Sequence, residues 1–258
     1  MRYLQIVSCA IIPVLLVAGG CNSKSTPTKA PETSPEPSVS YFKVDPATAG
    51  TITGKIAFTG KKTPPHLINM SEDPACVGTH KGKVYDESLV AGSGLANVFV
   101  YIKSGLEGKS FETPTTPVVI DQGGCQFHPH VLGVQVNQPV QITNSDPVTH
   151  NIHPMAVSNR EWNHSQGPGD PAMTRRFTKP EIMIPVKCNI HGWMHAYIGV
   201  LDHPYFAVSK DDGSFEIANL PPGTYTIATW HETLGTQEQQ ITVSAAGHVA
   251  SNFTYKGK

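Results

Sequence analysis

Apolar residues recur along this chain mostly at every second position and in short runs, the spacing of strands whose two faces meet different surroundings. The clearest runs are Thr51–Phe58 (TITGKIAF) and Asn97–Lys103 (NVFVYIK), then VVID from Val118, VLGVQV from Val131 and VQITN from Val140. Turn residues separate them, among them Asn137-Gln138-Pro139. Glu181–Val186 and Ala196–Leu201 are two further strand-length runs. In the last third, Asp211-Asp212-Gly213 reads as a hairpin turn, and Leu220-Pro221-Pro222-Gly223 as a second turn before the alternating TYTIATW. Residues 154–180 show no useful period and read as a long loop or edge excursion. No long 3.6-residue periodicity is present, so the pattern predicts an all-β protein.

Composition agrees: Gly 23 and Pro 22 with 15% charged residues favour strands and turns. A chain of 258 residues has room for about two ordinary domains. The formal net charge of -1 offers no field that would draw in nucleic acid. The exception to the strand pattern is Leu4–Ala18, a mostly apolar run behind Arg2 and followed by small residues. It is too short for a good membrane span and reads as an export signal covering residues 1–20. The junction VAGGC resembles the lipobox of bacterial lipoproteins, which implies cleavage before Cys21 and lipid on that cysteine. A plain signal peptide with an incidental cysteine is the other reading. Residues 21–47, rich in Ser, Thr, Pro and charge, cannot bury a core and read as a disordered, flexible tether. The expected location is therefore the periplasm or cell surface, with a membrane anchor at the N-terminus.

Candidate chemistry concentrates in KCNIHGWMHAY, Lys187 to Tyr197, which places Cys188, His191, Met194 and His195 within eight residues. A thiolate, an imidazole and a thioether at Cys188-x2-His191-x2-Met194 are soft to intermediate ligands, and His, His, Cys with a long axial Met is the set of blue-copper sites. Cys-x2-His by itself suits zinc as well. The missing histidine has to come from another strand, and His150, in NSDPVTHNIH after VQITN, is the best candidate. His153 is an alternative ligand, and His195 is expected to point away. Outside the cytoplasm thiols tend to pair. With Cys9 in the signal, Cys21 lipidated and Cys188 at the metal, Cys76 and Cys125 most simply form a disulfide. The rival is a second metal site of Cys125 with His128 and His130, histidines for which a structural or solvent-facing role is otherwise expected.

With those residues in view, the segment Phe127–Met194 resembles a cupredoxin of the plastocyanin and amicyanin type. FHPHVLGVQVNQPVQITNSDPVTHN follows the family's strand-turn-strand run to its first histidine, and CNIHGWM follows its ligand loop in the short, amicyanin-like form. The resemblance implies a Greek-key β-sandwich with one type 1 copper: His150, Cys188 and His191 equatorial, Met194 weak and axial, and Asn151 bracing the cysteine loop. It also implies electron exit through the solvent-side edge of His191, with Gly192 and Trp193 as a contact surface for a transient redox partner. Two departures stand out: Asn137 where the family has glycine, and the long excursion from Pro154 to Lys179, able to cover one side of the site. Copper enzymes relay electrons through histidines adjacent to the cysteine, whereas Lys187 and Asn189 flank Cys188. No enzymatic activity is expected.

The tail, YFAVSKDDGSFEIANLPPGTYTIATW, resembles the carboxypeptidase regulatory-like domain and the fibronectin-like domain of rhamnogalacturonan lyases, both small β-sandwiches, and TITGKIAF and NVFVYIK resemble the same module's first strands. The expected organisation is a split sandwich of residues 48–117 and 203–258 with a cupredoxin domain, 118–202, inserted into it. His203, Trp230 and His231 are expected at the boundary. The alternative function is a surface lipoprotein that binds carbohydrate or protein through its tail, with copper structural or stored.

Overall fold

Short alternating runs bury one face only by pairing with one another, and the computed structural model, which describes residues 40–62 and 64–257, shows the pairs they make. The signal peptide, Cys9, Cys21 and most of the tether fall outside the described residues. In chain order the strands are β1 (Gly50–Thr59), β2 (Phe99–Ser104), β3 (Val118–Gly123), β4 (Gln126–His128), β5 (Val131–Gln135) and β6 (Val140–Asn144). There follow β7 (His150–Pro154), β8 (His164–Gln166), β9 (Met173–Arg175), β10 (Glu181–Lys187), β11 (His195–Leu201) and β12 (Phe206–Val208). The tail supplies β13 (Ser214–Leu220), β14 (Gly223–His231), β15 (Gly235–Val243), β16 (His248–Ala250) and β17 (Phe253–Lys256). One five-residue helix, α1 (Pro74–Gly78), interrupts the loop between β1 and β2. The protein is all-β, in several sheets.

Two of the sheets, β5-β11-β10-β7-β8 and β4-β3-β6-β9, contribute Ile120, Phe127, Val134, Ile142, Ile152, Ile184 and Ile198 to one buried core. The other two, β13-β1-β16 with β17 also on β1, and β12-β2-β14-β15, contribute Ile52, Ile56, Val100, Ile102, Ile217, Tyr225, Ile227 and Tyr255 to another. Ile68, Met70 and Cys76, although they lie between β1 and β2, pack into the first core. A seam of Phe99, Tyr101, Val131, Met183, Leu201 and Ala228 joins the two. It is possible because Gly133 and Gly199 face each other across β5 and β11. A Cβ at Gly199 would stand 2.6 Å from the Phe99 ring, and one at Gly133 2.4 Å from Phe206, so only glycine admits the stacked Phe99–Phe206 pair.

The turns follow the sequence chemistry. Gly213 takes φ 78° at the end of Asp-Asp-Gly, where a side chain would strike the Ile56 carbonyl, and Asn137 takes φ 64°, a left-handed geometry that asparagine tolerates. Pro221 and Pro222 separate β13 from β14, and the Tyr225 hydroxyl donates back to the Pro221 carbonyl at 2.5 Å.

His231, 1% exposed, has its Nδ1 accepting from the Thr233 amide at 3.2 Å, a bond that requires the nitrogen unprotonated. Burial, reinforced by His130 and opposed by Glu232, pushes its pKa from 6.5 down to about 4. The unfolded chain then takes up a proton that the folded chain refuses. Stability from this group is complete above pH 6.5 and is lost as pH falls through about 4. The expected cost of that descent is up to about 3 kcal/mol. Thermal unfolding scans from pH 7 to pH 4 should show His231→Gln with a flatter Tm profile than wild type; an equal slope would remove His231 from the account.

Candidate metal centre

Across β10 and β11, Lys187 pairs with His195, so Cys188 to Met194 form the turn of that hairpin. The turn is closed by the Cys188 amide on the Met194 carbonyl at 3.1 Å and by the Met194 amide on the His191 carbonyl at 3.0 Å. On the other edge of β10 lies β7, with Lys187 opposite His153, which brings the first residue of β7, His150, beside the turn. The four candidates are buried: His150 at 0%, Cys188 at 2%, His191 at 3% and Met194 at 1% exposure.

The donor atoms converge. His150 Nδ1 lies 2.9 Å from His191 Nδ1, Cys188 Sγ lies 4.0 Å from His191 Nδ1, and the three donors all fall within 4.8 Å of one another. An ion about 2.0–2.1 Å from each of two imidazole nitrogens at a near-tetrahedral angle holds them roughly 3.3 Å apart. The pocket is near that spacing already, with a thiol as its third wall and Met194 in the same core cluster. The donor set thus fits a soft or borderline metal ion.

Surrounding groups fix the orientation of each donor. Asn151 Oδ1 accepts from the Asn189 amide at 2.7 Å and from the Cys188 thiol at 3.3 Å, and the His191 amide donates to the same sulfur at 3.3 Å. Asn151 is itself held by Asn163 at 2.6 Å, so the excursion after Pro154 supports the cysteine loop from behind. The outer nitrogen of each histidine meets a carboxylate: His150 Nε2 sits 2.8 Å from Asp146, and His191 Nε2 2.9 Å from Asp73. Asp146 also accepts the amides of Gly124 and Cys125, each at 2.7 Å. Carboxylates behind ligating histidines set the tautomer and leave Nδ1 free to coordinate.

Electrostatics point the same way. Burial disfavours a charged His150, but Asp146 and Cys188 overcome it and lift its pKa to about 9. Burial likewise raises Cys188, yet His150 and the amides of Asn151 and His191 outweigh it and hold the thiol below its ordinary range. Asp73 is kept below the usual carboxylate range by His191 first and by the Cys76 amide second. The pocket therefore stabilises positive charge beside the sulfur, as a bound cation would supply.

One expectation fails. The edge of His191 does not face solvent, because Asp73 and Cys76 cover it, with Cys76 Sγ 3.8 Å from Nε2. Asp73 caps α1 through the amides of Ala75 and Cys76, and Cys76 is bonded to Cys125, which pins the helix over the histidine. Trp193 does not lie open beside Gly192 either: it is half-buried, donates from Nε1 to the Cys125 carbonyl at 3.0 Å, and tilts against His191 at 5.0 Å. With Cys125 in a disulfide, no thiolate remains to join His128 and His130. His128 is exposed and meets the Gly123 carbonyl at 3.1 Å. His153 is taken up by Asn189 and Glu161, and His195 turns to Glu232 and Asp86. Of the three boundary candidates, Trp230 packs on Tyr197 at 4.8 Å, whereas His203 binds the Ile102 carbonyl and His231 packs on Tyr255 within the tail.

Asp73 and Asp146 were not singled out from the sequence. Asp146 carried a signal, four residues before His150 in SDPVTH; Asp73 carried that of a helix cap, Asp before Pro, but nothing local ties it to His191.

No family model matches this chain, and no curated protein is significantly similar to it. Among solved structures, a copper-containing nitrite reductase from Thermus scotoductus SA-01 is 27% identical over 38% of this chain and 24% of its own, with a TM-score of 0.32. The matched part is thus about a quarter of that enzyme. A purple cupredoxin from Nitrosopumilus maritimus is 23% identical over 32% of this chain and 98% of its own, with a TM-score of 0.28. An amicyanin variant is 21% identical over 39% of this chain and 97% of its own, with a TM-score of 0.30. TM-scores this low carry neither fold nor activity from those proteins to this one.

Proposed function

We propose that this chain is an exported, membrane-tethered protein that holds one copper ion at His150, Cys188 and His191, with Met194 as a weak axial ligand, and carries single electrons. The observation that carries the reading is the convergence of two Nδ1 atoms and one thiol in a buried pocket, with the far nitrogen of each imidazole held by a carboxylate. Hard ions are excluded by the sulfur and nitrogen donors, and zinc, which shares thiolate and imidazole, gains nothing from a buried thioether. When bound, copper supplies a one-electron couple whose two states prefer different coordination.

The chain's own contribution is a cage that does not relax between those states. The hairpin turn fixes Cys188, His191 and Met194 relative to one another, β7 fixes His150, and Asn151 and the His191 amide restrain the sulfur. Burial excludes water from all four. A redox partner would dock briefly on the rim of the turn, where Ile190 is 52% exposed. Lipid on Cys21 would keep the protein at the membrane.

An anaerobic copper titration followed by optical and electron paramagnetic resonance spectra tests the reading. An intense visible thiolate-to-copper band that saturates at one equivalent and bleaches reversibly on reduction is expected. A colourless complex would sink the carrier and favour a surface lipoprotein with stored or structural copper.

A further inference from the structure

We propose that His130, His195 and Glu232, with Asp86 as a fourth group, form a second metal site, suited to a first-row divalent ion such as zinc or copper(II). Its members come from four separate segments: the turn before β5, the start of β11, the residue after β14, and the loop after α1. One ligand atom each from His130, His195 and Glu232 falls within 4.8 Å of the others. None belongs to the Cys188 pocket, so the inference goes beyond the function proposed above.

Geometry separates this cluster from an ordinary ion-pair network. His195 Nδ1 donates to the Trp193 carbonyl at 3.1 Å, which leaves Nε2 turned to the carboxylates, where a bound ion would take the place of a proton. That Nε2 lies 3.5 Å from Glu232 Oε2 and 3.8 Å from Asp86 Oδ2. Both gaps are too long for good hydrogen bonds. They match the roughly 3.4 Å between ligands that share one ion about 2.0–2.2 Å from each. His130 Nε2 reaches the other oxygen of Glu232.

The cluster is held before any ion arrives. The Tyr197 amide bonds the His130 carbonyl at 2.9 Å, and the His130 ring stands edge-on to His195 at 5.0 Å and to Tyr197 at 6.0 Å. Charge also balances: two neutral imidazoles and two carboxylates neutralise one dication, in surroundings where the Glu232 side chain is 8% and that of His130 4% exposed. A small cavity lined by Asp86, His130, Trp193, Met194 and His195 abuts the cluster, and the His195 side chain keeps 30% exposure. Imidazole and carboxylate donors without sulfur suit zinc and copper(II) rather than copper(I).

Titration of the full chain with cobalt(II), read by equilibrium dialysis and by absorption, tests the assignment. Cobalt in the Cys188 pocket shows a thiolate-to-metal band, whereas cobalt at this site shows only weak d–d bands, so failure of either site is read separately. Wild type is expected to bind one equivalent without thiolate character. His195→Gln and Glu232→Gln should each remove that equivalent and leave the thiolate band, and Asp86→Asn should weaken it about 10- to 100-fold. The proposal is overturned if all cobalt bound by wild type is accounted for by the thiolate band, or if His195→Gln keeps the extra equivalent. The wild-type stoichiometry decides even where Glu232→Gln fails to fold.

Discussion

Cys188→Ser is expected to abolish the intense visible absorption of the copper-loaded protein altogether while the apo fold survives. The change swaps sulfur for oxygen in a side chain of nearly the same shape, and the hydroxyl can still meet Asn151 Oδ1 and the His191 amide, which now lie 3.3 Å from the sulfur. The stability cost should therefore stay near 1 kcal/mol, the ordinary range for a single substitution. The spectrum, in contrast, depends on a thiolate donor that no other described residue can replace, since Cys76 and Cys125 are bonded to each other. Absorption and circular dichroism on one sample separate the two effects. A variant that keeps the band refutes the ligand assignment, and one that loses its circular dichroism refutes the structural half of the argument.

The second large effect is expected from the double variant Cys76→Ala/Cys125→Ala. Their bond closes a loop of sequence separation 49, and in the chain-entropy account such a constraint on the unfolded state is worth about 4 kcal/mol. For a folded body of this size that corresponds to a Tm lower by roughly 8–16 °C. The same bond pins α1, and with it Asp73, over His191. Freed of it, α1 should loosen, and the hydrogen exchange of the Val77 and Thr79 amides should quicken far more than that of β10 and β11. Copper should still bind, because no ligand has been removed. Uniform quickening of exchange across all strands would show that the bond serves global stability alone and that the cover over His191 does not depend on it.

That cover marks the limit of what the sequence could say. The hairpin was legible: Glu181–Val186 and Ala196–Leu201 have the strand period, β10 and β11 occupy those runs to within a residue, and the turn between them carries three of the proposed ligands, Cys188, His191 and Met194. VQITN became β6 residue for residue, because one face is buried and the alternation records it. Where both faces are largely exposed the record is missing. β15 (GTQEQQITV) is polar over most of its length, and β8 and β9 have three residues each, too few for any period to show. Long-range pairing was equally hidden, as in β1, which takes both β16 and β17 as parallel neighbours from the far end of the chain.

The metal-site residues divide along the same line. His150 was legible through its place after VQITN, and Asn151 through the family resemblance. Asp73 lies 118 residues before His191, and Glu232 102 residues after His130; their contacts arise only when loops and strands from different parts of the chain meet. Sequence reading gave His195 a role of pointing away, and it does leave the Cys188 pocket, but toward two carboxylates that no local pattern announces. The electron exit drawn from the family failed for the same reason: α1 and its disulfide are additions to the segment that carries the resemblance.

If His150, Cys188 and His191 close on one copper ion, sulfur is among its donors. Copper-edge X-ray absorption on the protein loaded with one equivalent tests it directly. One short copper–sulfur bond beside two imidazole nitrogens is expected, lost on Cys188→Ser. A shell of nitrogen and oxygen donors alone in the wild-type protein would contradict it.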